Sequence, residues 1–172
     1  MRILTLLLLT FFFSSISIAQ TYIQIAPSIS NNPGTFSEKS NISLELGRQW
    51  DVFSLGLDIG KTNLGAVKGH DTTNYLELRP NLNVFQQDKF TNTLTIGIGY
   101  IFNAEESLLT ESTLGIEYAY SQQIHFNMYF GQYFTSGRYS ASSETFFGVS
   151  AMFYFKPTHT KSLLMLGEKK DK

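Results

Sequence analysis

The chain has no cysteine, which excludes a disulfide framework, a thiolate metal site and a lipid-bearing N-terminal cysteine. An excess of charge of one sign is also missing: 13 Lys and Arg stand against 14 Asp and Glu in 172 residues. With no basic excess and no polybasic run, there is nothing to hold nucleic acid or to anchor the chain on a membrane surface. Beyond the N-terminus no apolar stretch approaches the roughly 20 residues of a transmembrane helix. Phosphate-binding glycine loops and catalytic signature strings are absent. Metal ligands are no better served, since His70 with Asp71 is a loop pair and His159 is in the tail, and no spacing puts three N or O ligands on one face. No cofactor is expected.

The N-terminal stretch "MRILTLLLLTFFFSSISIAQ" places Arg2 before an apolar run over residues 3–13, followed by small residues ending at Ala19. That is the layout of a secretory signal with cleavage after Ala19. The run stops at Ser14 and Ser15, too short to span a bilayer as a helix. The expected division is a signal peptide over 1–19, one barrel domain over 20–155, and a periplasmic C-terminal tail over 156–172 that frays.

What the chain does have is aromatic residues, 15 Phe and 9 Tyr, together with 13 Gly. Period-two segments bounded by Asn, Gly, Ser, Asp or Lys clusters predict eight strands, over 21–30, 41–49, 52–62, 74–85, 93–102, 112–120, 124–134 and 144–155. One parity of each is apolar, as in Phe53, Leu55, Leu57 and Ile59, or Leu94, Ile96, Ile98, Tyr100 and Phe102. The other carries Ser54, Gly56, Asp58 and Gly60, or Thr95, Gly97 and Gly99. Tight connections at Trp50-Asp51 and 121–123 alternate with longer ones, although "QQDKFTN" is long where a tight turn is needed.

Two barrels fit this pattern, and they differ in which face meets water. In a soluble periplasmic lipocalin-like barrel the apolar parity lines a ligand cavity. In a membrane barrel it faces lipid and the other parity fills the lumen. Glycine weakens a solvent-facing strand surface but makes room inside a narrow barrel. Gly56, Gly60, Gly97, Gly99, Gly115 and Gly148 are therefore expected indoors, beside larger polar neighbours. No lysine stands mid-strand, Lys61 being at a strand end, and aromatic residues such as Trp50, Phe85, Phe102, Tyr120 and Phe155 fall at strand ends, where interfacial girdles form. The expected fold is all-β, an eight-stranded antiparallel up-and-down transmembrane β-barrel. Pro80 must forfeit a ladder bond or sit at a bulge.

The segments "SLELGRQWDVFSLGLDIGKT" and "ETFFGVSAMFYF" resemble the small outer-membrane β-barrel proteins of Gram-negative bacteria, especially the short barrels of the Bacteroidetes. In the second segment Gly148 precedes Ala151, Phe153 and Phe155, similar to the terminal signal read by the barrel-assembly machinery. The resemblance implies export to the outer membrane, contact with its lipid and lipopolysaccharide, and transient engagement of that machinery. It names an architecture rather than an activity.

An interior charge network of Glu45, Asp58, Glu77, Arg79 and Glu117 is expected on the inward parity, structural in role because charges packed in a filled barrel must be paired or hydrated. His125 in "QIHFNMYF" also points inward. It invites comparison with barrel hydrolases acting on lipid A, but the serine those enzymes carry two residues after the histidine is Asn127 here. The expected role is that of a non-enzymatic, porin-like envelope barrel with a filled lumen. A lipid-modifying enzyme and the soluble ligand-binding barrel are the alternatives.

Overall fold

The computed structural model describes residues 19–32, 35–65, 72–157 and 164–165. Eight strands run in chain order: β1 Gln20–Asn32, β2 Thr35–Trp50, β3 Phe53–Thr62, β4 Thr73–Gln87, β5 Phe90–Ile101, β6 Leu108–Ala119, β7 Ile124–Ser136 and β8 Ala141–Tyr154. Each pairs antiparallel with its chain neighbours, and β1 pairs with β8, so the sheet closes into an up-and-down barrel. Closure leaves no edge along the wall. The signal-peptide reading falls on residues 1–18, outside the described residues apart from Ala19, and β1 begins at Gln20.

One end of the barrel holds the start of β1, the end of β8 and three tight turns. These turns are Asp51-Val52, Asp88-Lys89 and residues 120–123. Asp51 and Asp88 adopt φ of 43° and 53°, a left-handed conformation that Asp tolerates better than most residues. The "QQDKFTN" connection is thus corrected: β4 continues through Gln87, β5 starts at Phe90, and two residues join them. The turns are laced to neighbouring strands by Asn83 N–H to Val52 O, Ala119 N–H to Lys89 O and Tyr154 N–H to Gln123 O, each 2.8 Å. The described residues of the longer connections, 63–65, 72, 102–107 and 137–140, lie at the opposite end.

Pro80 sits opposite Leu55 on β3, while the β4–β5 ladder lapses between Leu78↔Ile98 and Asn81↔Thr95 and resumes in the same register. Pro80 therefore forfeits a bond without a bulge. Pro27 does the same on β1, where the ladder to β8 lapses between Ile25↔Ala151 and Ser28↔Gly148. Most of the tail, residues 158–163 and 166–172, lies outside the described residues; within it Leu164–Met165 form a short ninth strand, β9, parallel to β4 at Phe85 and Gln86. That is the stretch of β4 running past the start of β3.

The faces are assigned by burial. Leu46, Leu57, Ile59, Ile98, Leu114, Ile116 and Phe130 are exposed on the outer wall, Leu57 at 48% and Ile59 at 50%. Ser54, Asp58, Glu77, Arg79, Thr93 and Glu117 are buried within. This overturns the soluble ligand-binding alternative, which needs an apolar lining. Polar residues lie inside because eight strands enclose a space that side chains can fill and hydrogen-bond across.

Candidate functional site

Register alone sets acids side by side. Glu45 on β2 lies opposite Asp58 on β3, which lies opposite Glu77 on β4. Directly opposed like charges repel, so a cation is needed among them. Arg79, two residues on from Glu77 and opposite Gly56, supplies it. Its Nη1 donates to Glu45 Oε2 and its Nη2 to Glu111 Oε1, both at 2.8 Å and buried. The guanidinium fork thus ties β2, β4 and β6 together across the lumen, the planar two-pronged geometry for which arginine is suited.

Hydroxyl groups complete the network. Tyr22 donates to Glu45, Tyr75 to Asp58 Oδ2 at 2.7 Å, and Thr113 to Glu111 Oε1 at 2.5 Å. The Glu77 carboxyl lies against Glu111, while its Oε1 has no partner among the described residues.

Of the five residues expected to form one network, Glu45 alone is in direct contact with Arg79. Asp58 and Glu77 line the same belt, and Glu117 belongs to a different pair. Its Oε1 meets His125 Nδ1 at 2.5 Å near the turn end, under the ring of Tyr154 with centroids 4.8 Å apart. The partner that sequence reasoning missed is Glu111. It stands one residue before the predicted strand 112–120, yet shares the inward parity of Thr113, Gly115 and Glu117. Glu106 and Glu144 are further buried acids; the first accepts from Thr135 and Ser142, the second from Ser30.

The glycines make this packing possible. A side-chain carbon at Gly56 would overlap the Glu45 carboxyl, one at Gly97 the Glu77 carboxyl, and one at Gly148 the Tyr129 ring. Small residues on one strand are filled by large polar ones from the next, which is how so narrow a lumen accommodates this many charged groups.

The lumen is stopped at the loop end by an apolar cluster that includes Leu64, Ile101, Leu109, Tyr133 and Phe146, with the last two rings stacked at 3.8 Å. Tyr22, Met152 and Tyr154 pack together at the turn end. Between them a cavity of about 20 Å³ is bounded by Gln24, Glu45, Arg79, Glu117 and Asn127 among others. It has room for about one water molecule and polar groups to hold it. No group of three or more His, Asp or Glu able to hold a metal exists among the described residues. His125 is 2% exposed and faces this interior; among the described residues its side chain pairs with Glu117, and no serine hydroxyl bonds to it.

Among the strand residues whose side chains are described, Arg48 and Lys61 are the charged groups on the outward parity, both cationic, while the acids face inward. Arg48, which sequence reasoning passed over, lies between Leu46 and Trp50 near the turn end. Lys61 lies near the loop end, opposite Ile42 and Asn74.

The sequence matches no family model and no curated protein. Solved structures similar in shape include the following two. One is the crystal structure of Neisserial surface protein A (NspA), with a TM-score of 0.53 at 8% identity, covering 79% of this chain and 95% of that one. The other is the solution NMR structure of the de novo designed protein TMB2.3, with a TM-score of 0.51 at 13% identity, covering 80% and 97%. Both likenesses span nearly the whole of the other protein, and what they show is the fold: this chain is an eight-stranded antiparallel β-barrel of the transmembrane type.

Proposed function

We propose that the chain is an integral outer-membrane β-barrel of a Gram-negative envelope, exported through a cleaved signal peptide, with a filled lumen and a structural or interaction role rather than an enzymatic one. The observation that carries this reading is the sorting of the two faces. Exposed Leu, Ile, Phe and Met surround the ring, whereas acids, Arg79 and His125 are inside. A wall of that kind is costly in water and stable in lipid. The apolar stopper at the loop end supports a barrel that does not conduct. In β8, Gly148 faces inward while Ala151 and Phe153 face outward, and Phe155 just past its end is exposed too, consistent with a strand offered to the assembly machinery. Nothing in the enclosed His125 and Glu117 pair favours the lipid-modifying alternative, because a lipid substrate meets the opposite face of the wall.

The test is gel mobility of the protein from an isolated outer-membrane fraction, boiled against unboiled. A protein that pellets with that membrane and shifts on boiling is the expected result. Recovery in the soluble periplasm with no shift would overturn the reading.

A further inference from the structure

We propose that the outer wall around Lys61 is a binding site for a phosphorylated, multiply acylated lipid of the outer leaflet. This rests on the membrane reading above and adds the partner to it. Two shallow grooves, of about 550 and 740 Å³, meet at Lys61 and Ile42. The first runs past Pro27 and Ile29 toward Phe147 and Val149. The second runs between Ile25, Leu44, Ile59 and Leu76 and reaches Phe102. Each is mainly apolar, with Ser40 and Thr72 in the first and Asn74 in the second as polar members near Lys61, and both are within the size range of small-ligand sites.

The cation stands where the two grooves converge. Its neighbours across the ladders are Ile42 and Asn74, and Phe102 donates its backbone N–H to Asn74 O at 2.9 Å. Lys61 is thus joined through the ladder to an outward aromatic at the loop end, where interfacial aromatics gather near the lipid headgroups, and in outer-membrane barrels the end with the longer connections is the external one. A lysine there extends its ammonium toward the interface while its stem lies along apolar wall. It has no carboxylate partner among the described residues. One phosphate beside Lys61, with acyl chains passing down either groove, satisfies both the charge and the apolar surface.

The alternative occupant, a second copy of the chain, fits less well. A two-fold contact over this face would bring Lys61 toward its own equivalent, and no outward strand carboxylate with a described side chain is available to meet it.

The test is native mass spectrometry of the full mature protein, released from detergent in the presence of hexa-acylated bisphosphoryl lipid A or of the same lipid stripped of phosphate. Lys61→Gln is expected to weaken retention of the phosphorylated lipid at least about fivefold, Lys61→Arg to restore it, and Lys89→Gln, in a turn at the other end, to leave it unchanged. The dephosphorylated lipid should bind all four proteins equally and weakly. Equal retention by wild type and Lys61→Gln, or equal binding of both lipids by wild type, would overturn the proposal. So would a dimer that buries Lys61. A boiling shift recorded on the same samples separates these failures from failure of the membrane reading, in which the wild type itself shows no shift.

Discussion

The carboxyl group of Glu77 fills the space that a side chain at Gly97 would need. Its strand, β4, is paired to β5 on that side, so neither backbone can withdraw. Gly97→Val is expected to destabilise the folded barrel by about 1–3 kcal/mol, as overpacking does. The outward neighbour change Ile96→Val touches no lumen group and should cost less. The urea midpoint of the heat-modifiable band for both variants checks the difference.

Arg79 faces Glu45 and Glu111 directly, with Asp58 and Glu77 in the same belt. Arg79→Met removes the cation and leaves these acids uncompensated, a change worth about 3–5 kcal/mol in a buried setting. Glu77→Gln keeps the shape while removing one of the crowded carboxyl groups, so its stability should equal or exceed that of wild type. Comparing the unfolding of the two variants tests whether this belt is limited by too few cations. Equal losses would contradict it.

Leu57 is on the lipid-facing parity midway along β3. Leu57→Arg is expected to cost about 2–4 kcal/mol in a refolding equilibrium on lipid vesicles. Tyr100→Arg, near the loop-end rim, should cost about 1 kcal/mol or less, because the penalty falls with distance from the midplane. A penalty independent of depth would mean that the wall does not face a bilayer.

The strands and their inward parity were legible in the sequence because the apolar contrast is strong wherever one face meets lipid. The same contrast disappears at the loop end. There β7 runs on to Ser136 and β8 starts at Ala141 through residues polar on both parities, so a period-two pattern has nothing to mark. That is why Glu111 was left one position outside its strand, and with it the second arm of Arg79. The Asp88-Lys89 turn was hidden because Gln86, Gln87 and Thr91 resemble loop composition while continuing the ladder. Glycine was more informative than charge: Gly56, Gly97 and Gly148 marked where neighbours intrude, whereas the acidic residues alone did not say which would meet Arg79. Pairing across a closed ring depends on shear as well as parity, and shear leaves no local trace in the chain.

The two prolines that interrupt ladders lie at Pro27, between β1 and β8, and at Pro80, between β4 and β5. These two seams are opposite each other on the ring and divide it into β1–β4 and β5–β8. A hoop with two opposed thin places does not yield equally in every direction; it flattens more readily along one diameter than along the other. Lateral pressure from the bilayer would therefore deform this barrel toward an ellipse of fixed orientation, with the Arg79 fork, which links β4 across one seam to β6, acting as the strut against it.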